Sequence, residues 1–213
     1  MITRFIKSNY VEAVKKQKSI TRDTPMIDHI HSKSLSIESV IDFMQSYGLF
    51  QGITNDKRSA MAIEFMQFVI DRKPTEALNI EKDFNTLHTK LYYASGNRKC
   101  LSATSKLLWC MYPHDIVIYD AFVARSILIL QCLDKDLASL DRFVTPPNKS
   151  DDSTPMTDYY ISYSNLVMTL FNKHKDILAE LRTTHAADYL YDIRIFDKLL
   201  WMMGSFGEEI VLD

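Results

Sequence analysis

The stretch LSATSKLLWCMYPHDIVIYDAFVARSILIL, residues 101–130, decides the fold of this chain. Apolar residues run almost unbroken from 107 to 112, Pro113 ends the first helix, and a second apolar run begins at Ile116. This pattern predicts two helices that are joined by a tight connection and buried on most sides. Four polar residues stand inside the apolar sequence, namely Ser105, Lys106, Asp115 and Asp120.

Lys106 and Asp120 form the arrangement in this chain that points to chemistry. The lysine lies inside the first apolar helix, and the aspartate stands fourteen positions later, at the head of the second. Lysine is rarely buried without a reason, so its position is informative. A structural ion pair that joins two core helices would explain the two residues equally well.

The composition excludes several classes of protein. With 213 residues, of which 46% are hydrophobic, the chain can bury a real core, so most of it is not disordered. Its 25 basic and 27 acidic side chains give a net charge of −2 at pH 7. No global field therefore attracts the chain to nucleic acid or anionic lipid, and any such binding must be local.

Cysteine usage and hydropathy give expectations about the compartment. The three cysteines, Cys100, Cys110 and Cys132, lie in apolar helical sequence without metal-type spacing, so we expect buried thiols in a reducing setting. The N-terminal sequence lacks an apolar run of signal-peptide length. No segment approaches the roughly 20 apolar residues of a membrane span. We expect a cytoplasmic protein with no membrane partner and no cofactor.

The sequence before the central stretch predicts four helices, which cover residues 3–18, Ser36 to Gly48, Asn55 or Asp56 to Pro74, and Thr75 to Gly96. The segment 19–34 between the first two is rich in turn residues and predicts a loop. His29 and His31 in this loop could form a metal pair, but no third ligand lies at a suitable spacing, so no metal site is predicted.

The sequence after residue 130 predicts further helices and one flexible loop. Asp134 can cap a short helix, and residues 144–155 contain three prolines and several turn residues. The helices predicted beyond that loop cover residues 156–173, 177–181 and 187–203, and the last ends at Gly204. No alternating strand pattern appears, so we expect an all-α protein with eight to ten helices. One helical domain covers residues 1–213, and the flexible loop at 144–155 could divide it into two closely packed lobes.

The turn before the central helix is the second candidate site. Gly96 is followed by Asn97, Arg98 and Lys99, which place two cations beside the free backbone N–H groups of a helix start. Such a start can hold a phosphate group. A charged, solvated turn is the alternative.

Two stretches of the sequence resemble a known family. Ser105-Lys106-Leu107-Leu108-Trp109, then Pro113 and Ile118-Tyr119-Asp120, are similar to a segment of bacterial proteins with an oxoguanine DNA glycosylase-like fold. The run from Arg194 through Asp197, Leu200 and Trp201 to Gly204 resembles the C-terminal pattern of the same group. Together the two stretches, 105–120 and 194–204, cover 27 residues.

The resemblance implies a helix-hairpin-helix DNA glycosylase architecture and names its site residues. Lys106 is the expected nucleophile, and Asp120 is the expected carboxylate that stabilises positive charge on the sugar. The damaged base would enter a pocket between helical lobes, and the candidate pocket aromatics are Trp109, Tyr112 and Phe122. The candidate nucleic-acid-binding residues are Asn97, Arg98, Lys99 and Ser105. The family's glycine-rich hairpin is reduced here to Gly96 and a polar turn.

Three functions from different classes remain open at this stage. The first is a DNA glycosylase, with or without lyase activity. The second is a non-catalytic interaction or DNA-sensing subunit of a larger bacterial assembly concerned with defence against phage or plasmids. The near-neutral charge and the reduced hairpin favour it, and exposure of many of the eleven tyrosines on a helix face would favour it further. The third, a metal-dependent hydrolase built on His29 and His31, is disfavoured by their spacing. Three structural predictions accompany them: Lys106 and Asp120 face one cleft, Arg194 pairs with Asp197, and Leu200 and Trp201 are buried.

Overall fold

The computed structural model describes residues 2–20, 22–133, 135–138 and 156–205. In these residues the chain forms nine helices of nine residues or more and one helix of four residues, and it has no β-strand. The prediction of an all-α protein with eight to ten helices is therefore confirmed. The helices are α1 Ile2–Lys18, α2 Asp23–His31, α3 Ile37–Ser46, α4 Asn55–Arg72, α5 Ile80–Ala94, α6 Leu101–Met111, α7 Ala121–Leu133, α8 Lys135–Ala138, α9 Met156–His185 and α10 Asp192–Ser205.

The helices form two compact units. Unit one comprises the described residues of 1–19, 117–146 and 159–213, and unit two those of 20–116 and 147–158. Unit one thus holds α1, α7, α8, α10 and most of α9, whereas unit two holds α2 to α6. None of the helices in the described residues is long and apolar enough to cross a membrane.

Unit two is built around α6. Helix α6 packs against α2 and α5, and α4 packs against α3 and α5. Ten of the eleven residues of α6 are buried, which confirms that the first helix of the central stretch is covered on most sides. Other buried side chains of unit two are aromatic and aliphatic residues at helical spacing, among them Phe43, Met61, Phe65, Phe84 and Leu87.

Unit one is built around α10, which packs against α1 and α7. The contact with α7 is close because Gly204 has no side chain. A Cβ atom added to Gly204 would lie only 2.7 Å from the carbonyl carbon of Phe122 and 2.8 Å from Ser126 Oγ. Ser126 Oγ also donates to the carbonyl of Leu200 at 2.6 Å. The prediction that Gly204 ends the last helix is wrong, since α10 continues to Ser205 and the glycine serves close helix packing.

Two local predictions agree with the structure. Ser36 caps α3: its Oγ accepts from the backbone N–H of Ser39 at 3.2 Å, and the Ser39 hydroxyl accepts from the Ser36 N–H at 3.0 Å. Gly48 follows α3 with a φ of 64°, the left-handed conformation that its place in the sequence predicts.

The predicted loop at 19–34 is wrong, because most of it is helix α2. Met26, Ile27 and Ile30 are buried on one face of this helix. Pro25 lies in the first turn, where a helix tolerates proline, and the acidic Asp23 at the helix start interacts favourably with the helix dipole. The turn-forming residues of this segment therefore begin a helix.

Helix α5 begins later than Thr75. Its cap is Asn79, whose side chain accepts from the N–H of Lys82 at 3.0 Å. The residues before it are held by Arg72, which donates to Glu76 Oε2 at 2.5 Å and to Asp83 Oδ1 at 2.6 Å. Glu76 is thus an ion-pair partner of Arg72 in the connection, not part of the first turn of α5.

The predicted break near residue 174 is also wrong, because α9 is one helix of 30 residues. The polar run NKHKD resembles a break, yet His174 is buried in the same stripe as Leu170 and Leu178. The sequence 156–185 contains no proline or glycine that would interrupt the helix. Helix α10 begins at Asp192, not at Ala187. The predicted cap at Asp134 and the predicted loop at 144–155 lie outside the described residues.

Two burial predictions need correction, and one pairing is confirmed. Trp201 is only half-buried; its ring packs edge-on against Phe122 at 5.6 Å between centroids, whereas Leu200 is fully buried. Cys132 is exposed, unlike the other two cysteines. Arg194 donates to Asp197 one helical turn away, as predicted, and both side chains are buried.

Candidate functional site

Lys106 is buried in the middle of α6, with 4% of its surface exposed. Its Nζ donates to Ser102 Oγ at 2.6 Å, one turn earlier on the same helix. The same Nζ lies 5.3 Å from the centroid of the Tyr47 ring, within the range of a cation–π interaction. The amine is therefore held between a hydroxyl group and an aromatic face.

Tyr47 and Asp23 complete a polar cluster around this amine. Tyr47 follows directly after α3, and its hydroxyl donates to Asp23 Oδ1 in the first turn of α2. Asp23 is 4% exposed, so its carboxylate is also inside unit two. The Lys106 cluster, which consists of Asp23, Tyr47, Ser102 and Lys106, thus joins α2, the end of α3 and α6.

The sequence did not identify Asp23, Tyr47 or Ser102. Tyr47 and Asp23 are 24 residues apart, and no short motif connects them to each other or to α6. Ser102 stands four residues before Lys106, so the helical period alone would have placed the two side chains on one face. Of these three residues, only Ser102 could have been predicted, from its spacing of four residues before Lys106.

The Lys106 cluster has a defined chemical capability. A lysine amine is a nucleophile only in its unprotonated form, and burial disfavours the charged form of lysine. The Tyr47 ring lies on one side of Nζ, and the hydrogen bond to Ser102 Oγ orients the amine. The arrangement suits an amine that attacks an electrophilic carbon.

Asp120 lies at the start of α7 in unit one, as predicted. Its Oδ1 accepts from the backbone N–H of Phe122 at 2.9 Å, and its carbonyl accepts from Ala124 at 2.9 Å. These bonds make Asp120 the residue that begins the helix. Its side chain is half-buried, so the carboxylate is not enclosed by the core.

Two tyrosines of α9 fix the segment that leads to Asp120. The hydroxyl of Tyr160 donates to the carbonyl of Val117 at 2.7 Å, and that of Tyr163 donates to the carbonyl of Ile118 at 2.9 Å. Burial raises the pKa of both hydroxyls, with a further contribution from the negative charge of Asp197, so both remain protonated donors. The sequence predicted these tyrosines as core residues and did not predict that they anchor this segment.

Lys106 and Asp120 belong to different units. The shared cleft and the ion pair between them therefore stay predictions. Within unit two, the amine is positioned by Ser102 and Tyr47; within unit one, the carboxylate is positioned by its own helix start.

The predicted phosphate-binding residues fall into two groups. Asn97 and Arg98 are exposed on the turn after α5, where Asn97 has a positive φ of 64°, and Lys99 is half-buried. Ser105 is fully buried, and its hydroxyl donates to the carbonyl of Ser102 at 3.1 Å. A contact of Ser105 with DNA stays a prediction, and it would require the side chains that cover this serine to move.

Arg98 links the turn to the connection between α3 and α4. This connection, residues 47–54, is called the α3–α4 hairpin below. It contains Gly48 and Gly52, whose φ angles are 64° and 67°. Arg98 Nη1 donates to the carbonyl of Gln51 at 2.9 Å. The guanidinium group therefore lies directly on the backbone of the hairpin.

Two more cations lie beside the hairpin. Arg58 Nε donates to the carbonyl of Ile53 at 3.0 Å, and the guanidinium group lies 5.1 Å from the centroid of the Phe50 ring. Lys57 Nζ lies close enough to Gly96 that a Cβ atom there would be 2.5 Å away. Lys57, Arg58 and Arg98 together make this end of unit two a local basic surface on a chain of nearly neutral charge.

The candidate pocket aromatics differ in exposure. Trp109 and Tyr112 are buried in unit two, at 0% and 6% exposure, whereas Phe122 in unit one is 37% exposed. Burial raises the pKa of Tyr112, with opposing effects from Arg72 and Asp83. Trp109 and Tyr112 thus serve the core of unit two, whereas the Phe122 ring contacts Trp201 and lies 5.3 Å from the guanidinium carbon of Arg125.

The histidines at 29 and 31 do not form a metal site with other described residues. His29 Nδ1 lies 2.9 Å from Ser34 Oγ. Across the described part of the chain, no group of three or more His, Cys, Asp or Glu side chains could hold a metal ion.

Comparisons with models of protein families, with curated proteins and with solved structures give no match to this chain.

Proposed function

We propose that this protein is a DNA glycosylase-like protein that acts on or senses DNA, with Lys106 as its amine nucleophile. The observation that carries the proposal is the buried Nζ of Lys106, held 2.6 Å from Ser102 Oγ and 5.3 Å from the Tyr47 ring centroid. The resemblance of the segment 105–120 to bacterial glycosylase-like proteins supplies the substrate class.

In the proposed reaction the unprotonated amine of Lys106 attacks the anomeric carbon of a damaged nucleotide. The bond from that carbon to the base breaks, and the base leaves with the electron pair and takes up a proton. The attacking nitrogen then loses a proton. The bond from the anomeric carbon to the ring oxygen breaks, that oxygen keeps the electron pair and takes up a proton, and a protonated imine between Lys106 and the opened sugar remains. Asp120 takes the role that the resemblance implies, which is to stabilise positive charge on the sugar.

The α3–α4 hairpin is the proposed contact with the DNA backbone. Two helices joined by a short connection with two left-handed glycines fit a helix-hairpin-helix element better than the 96–99 turn does. Lys57, Arg58 and Arg98 provide positive charge for phosphate groups. Asp56 adds a negative charge to the same surface, because the hydrogen bond from the Thr54 hydroxyl lowers the pKa of this carboxyl and keeps it ionised.

The DNA contact can be tested by charge changes on the hairpin. Arg98→Gln should weaken binding of a short DNA duplex and reduce the salt dependence of its affinity, since one phosphate contact is lost. Asp56→Asn should strengthen binding, because it removes a negative charge from the same surface. Equal affinities for the parent and both variants in a fluorescence anisotropy titration would exclude this surface.

The nucleophile is tested by borohydride trapping on duplex and single-stranded DNA that carry oxidised bases. The parent should form a covalent adduct, and Lys106→Gln should abolish it and lower base release by about a thousandfold or more. Lys15→Gln, at an exposed lysine of α1, is the matched control and should leave trapping unchanged. Trapping that persists in Lys106→Gln would exclude Lys106 as the nucleophile.

A structural ion pair predicts a different result. Removal of one partner from a buried pair costs about 3–5 kcal/mol, because the other charge remains unpaired. In that case Lys106→Gln should unfold more easily in urea, with no base release to lose, and the double change with Asp120→Asn should recover part of the stability. Covalent trapping and urea unfolding, measured on the same variants, therefore distinguish a catalytic lysine from a lysine in a structural ion pair.

The non-catalytic subunit remains the second candidate function. It is favoured by exposed apolar side chains on unit two, where Tyr93 is 70% exposed, Ile70 65% and Ile63 51%. Side chains of this kind are frequent at protein interfaces. A chain that gives no adduct with any of the damaged substrates but forms a stable complex through these residues would support this function.

A further inference from the structure

Unit two carries an apolar groove that is separate from the Lys106 cluster. The groove has a volume of about 450 Å³ and lies between the end of α2 with its following turn and the C-terminal half of α4. We call it the α2–α4 groove. It is lined by Ile30, His31, Lys33, Leu35, Met66, Val69, Ile70, Lys73, Pro74 and Thr75.

We propose that the α2–α4 groove docks an amphipathic helix of a partner protein whose apolar face is flanked by acidic residues. This interaction goes beyond the chemistry proposed for Lys106 and does not depend on it. Three features support it: the charges of the groove, the apolar stripe along α4, and the backbone conformation of two lysines.

The groove has positive charges that are matched by no acidic residue of its own. Lys33 and Lys73 line it together with His31, and none of the described residues that line it is Asp or Glu. No carboxylate in the described part of the chain forms a salt bridge with Lys33 or Lys73, whereas Lys16, Lys18 and Lys90 each have one. An apolar surface with cations at its rim is complementary to apolar side chains with carboxylates beside them.

The apolar surface continues along α4 beyond the groove. Ile63, Met66 and Ile70 follow the i, i+3, i+7 spacing of one helix face, and Ile63 and Ile70 are 51% and 65% exposed. The two isoleucines are about 10 Å apart along the helix axis, at 1.5 Å per residue. A stripe of this length suits an elongated helix better than a compact small molecule.

Two of the groove lysines have an unusual backbone conformation. The φ angles of Lys33 and Lys73 are 59° and 53°, in the region that residues other than glycine seldom adopt. Such conformations are found mainly where the surrounding structure requires them. Both of these lysines line the α2–α4 groove.

A second copy of this chain is a poor occupant for the groove. In a two-fold dimer the same patch would face itself, so Lys33 and Lys73 of one copy would approach those of the other. Like charges at such an interface oppose association. A nucleic acid would be matched by the lysines but not by the apolar floor.

The test uses the full chain and two fluorescent peptides of about 16 residues with identical apolar positions at i, i+3 and i+7. One peptide carries Glu beside the apolar face and the other carries Lys. We expect the Glu peptide to bind about tenfold more tightly than the Lys peptide in about 50 mM salt. The double change Lys33→Glu with Lys73→Glu should reverse that preference.

Ile70→Asp should abolish binding of the Glu peptide, because it places a carboxylate in the apolar stripe. Val11→Asp on α1, at an exposed valine of unit one, is the matched control and should bind like the parent. Equal affinity for both peptides, or unchanged binding by Ile70→Asp, would overturn the proposal. The proposal would also be overturned if a stoichiometric amount of decanoate displaced the peptide, which would indicate a small apolar ligand. A dimer in sedimentation that Ile70→Asp converts to monomer would overturn it too, because a second copy would then occupy the groove.

Discussion

Replacement of Gly204 by alanine tests the helix contact that supports the Asp120 segment. An alanine Cβ would lie 2.7 Å from the carbonyl carbon of Phe122, 2.8 Å from Ser126 Oγ and closer still to the Phe122 carbonyl oxygen. Backbone atoms cannot rotate away as the end of a side chain can. Helix α10 must therefore move away from α7 by about 1 Å or more before the van der Waals overlap is relieved.

The expected loss of stability is about 3 kcal/mol. Overpacking against backbone atoms costs about 3 kcal/mol, at the upper end of the usual range. The displacement also weakens the hydrogen bond from Ser126 to Leu200, at about 1 kcal/mol. The higher helix propensity of alanine offsets about 1 kcal/mol of this loss in the free energy of unfolding.

The measurement is urea unfolding followed by circular dichroism, together with a thermal melt. For a chain of this size, a loss of about 3 kcal/mol corresponds to a fall of about 6–12 °C in the melting temperature. Gly48→Ala is the matched control: its nearest neighbour would be 3.9 Å away, but its φ of 64° is unfavourable for alanine. It should lose only about 1–2 kcal/mol.

Gly204→Ala as stable as the parent would refute the reasoning, because α7 and α10 would then not be in close contact. The same change should also disturb the position of the Asp120 side chain. Phe122 supplies both the carbonyl at the contact with α10 and the N–H that binds Asp120 Oδ1. A shift of α10 is thus transmitted to the first turn of α7.

Three further predictions concern pH, thiols and capping. Burial lowers the pKa of His88, with a smaller contribution from a nearby lysine, so the folded state favours the neutral ring. The free energy of unfolding should therefore be highest above about pH 6.5 and should fall as the pH drops below it. His88→Gln should flatten this dependence on pH in urea titrations. Ellman's reagent should modify Cys132 rapidly in the native chain, while Cys100, whose pKa is raised by burial, and Cys110 react only on unfolding. Ser36→Ala removes the capping box of α3 and should lower the free energy of unfolding by about 1 kcal/mol, measured in urea.

The fold was predictable from the sequence because its signals are local. The apolar run before Pro113 predicts α6, and the pair Ser36 and Gly48 predicts both ends of α3. The errors arose where a local signal had two meanings. Pro25 and Thr24 resemble a turn but form the first turn of α2, and the polar run around His174 resembles a break but lies within α9.

The candidate site was predictable only in part, because its contacts join residues that are far apart in sequence. Lys106 was identified by its apolar neighbours, and Asp120 by its place before a helix. Tyr47 and Asp23 could not be identified, since their relation to Lys106 depends on how α2, α3 and α6 pack. Sequence patterns report which face of a helix is buried, but not which polar groups meet there.

The burial of Lys106 is itself an argument about function. Moving a charged amine out of water costs several kcal/mol, and even a well-paired buried charge is often no more stabilising than an apolar side chain of similar volume. A leucine or methionine at position 106 would extend the apolar face that surrounds it on α6, without that cost. A lysine at this position is therefore explained less readily by stability than an apolar side chain would be. The chemical role proposed for the amine is one explanation that fits its surroundings, since the Ser102 hydroxyl and the Tyr47 ring lie beside it.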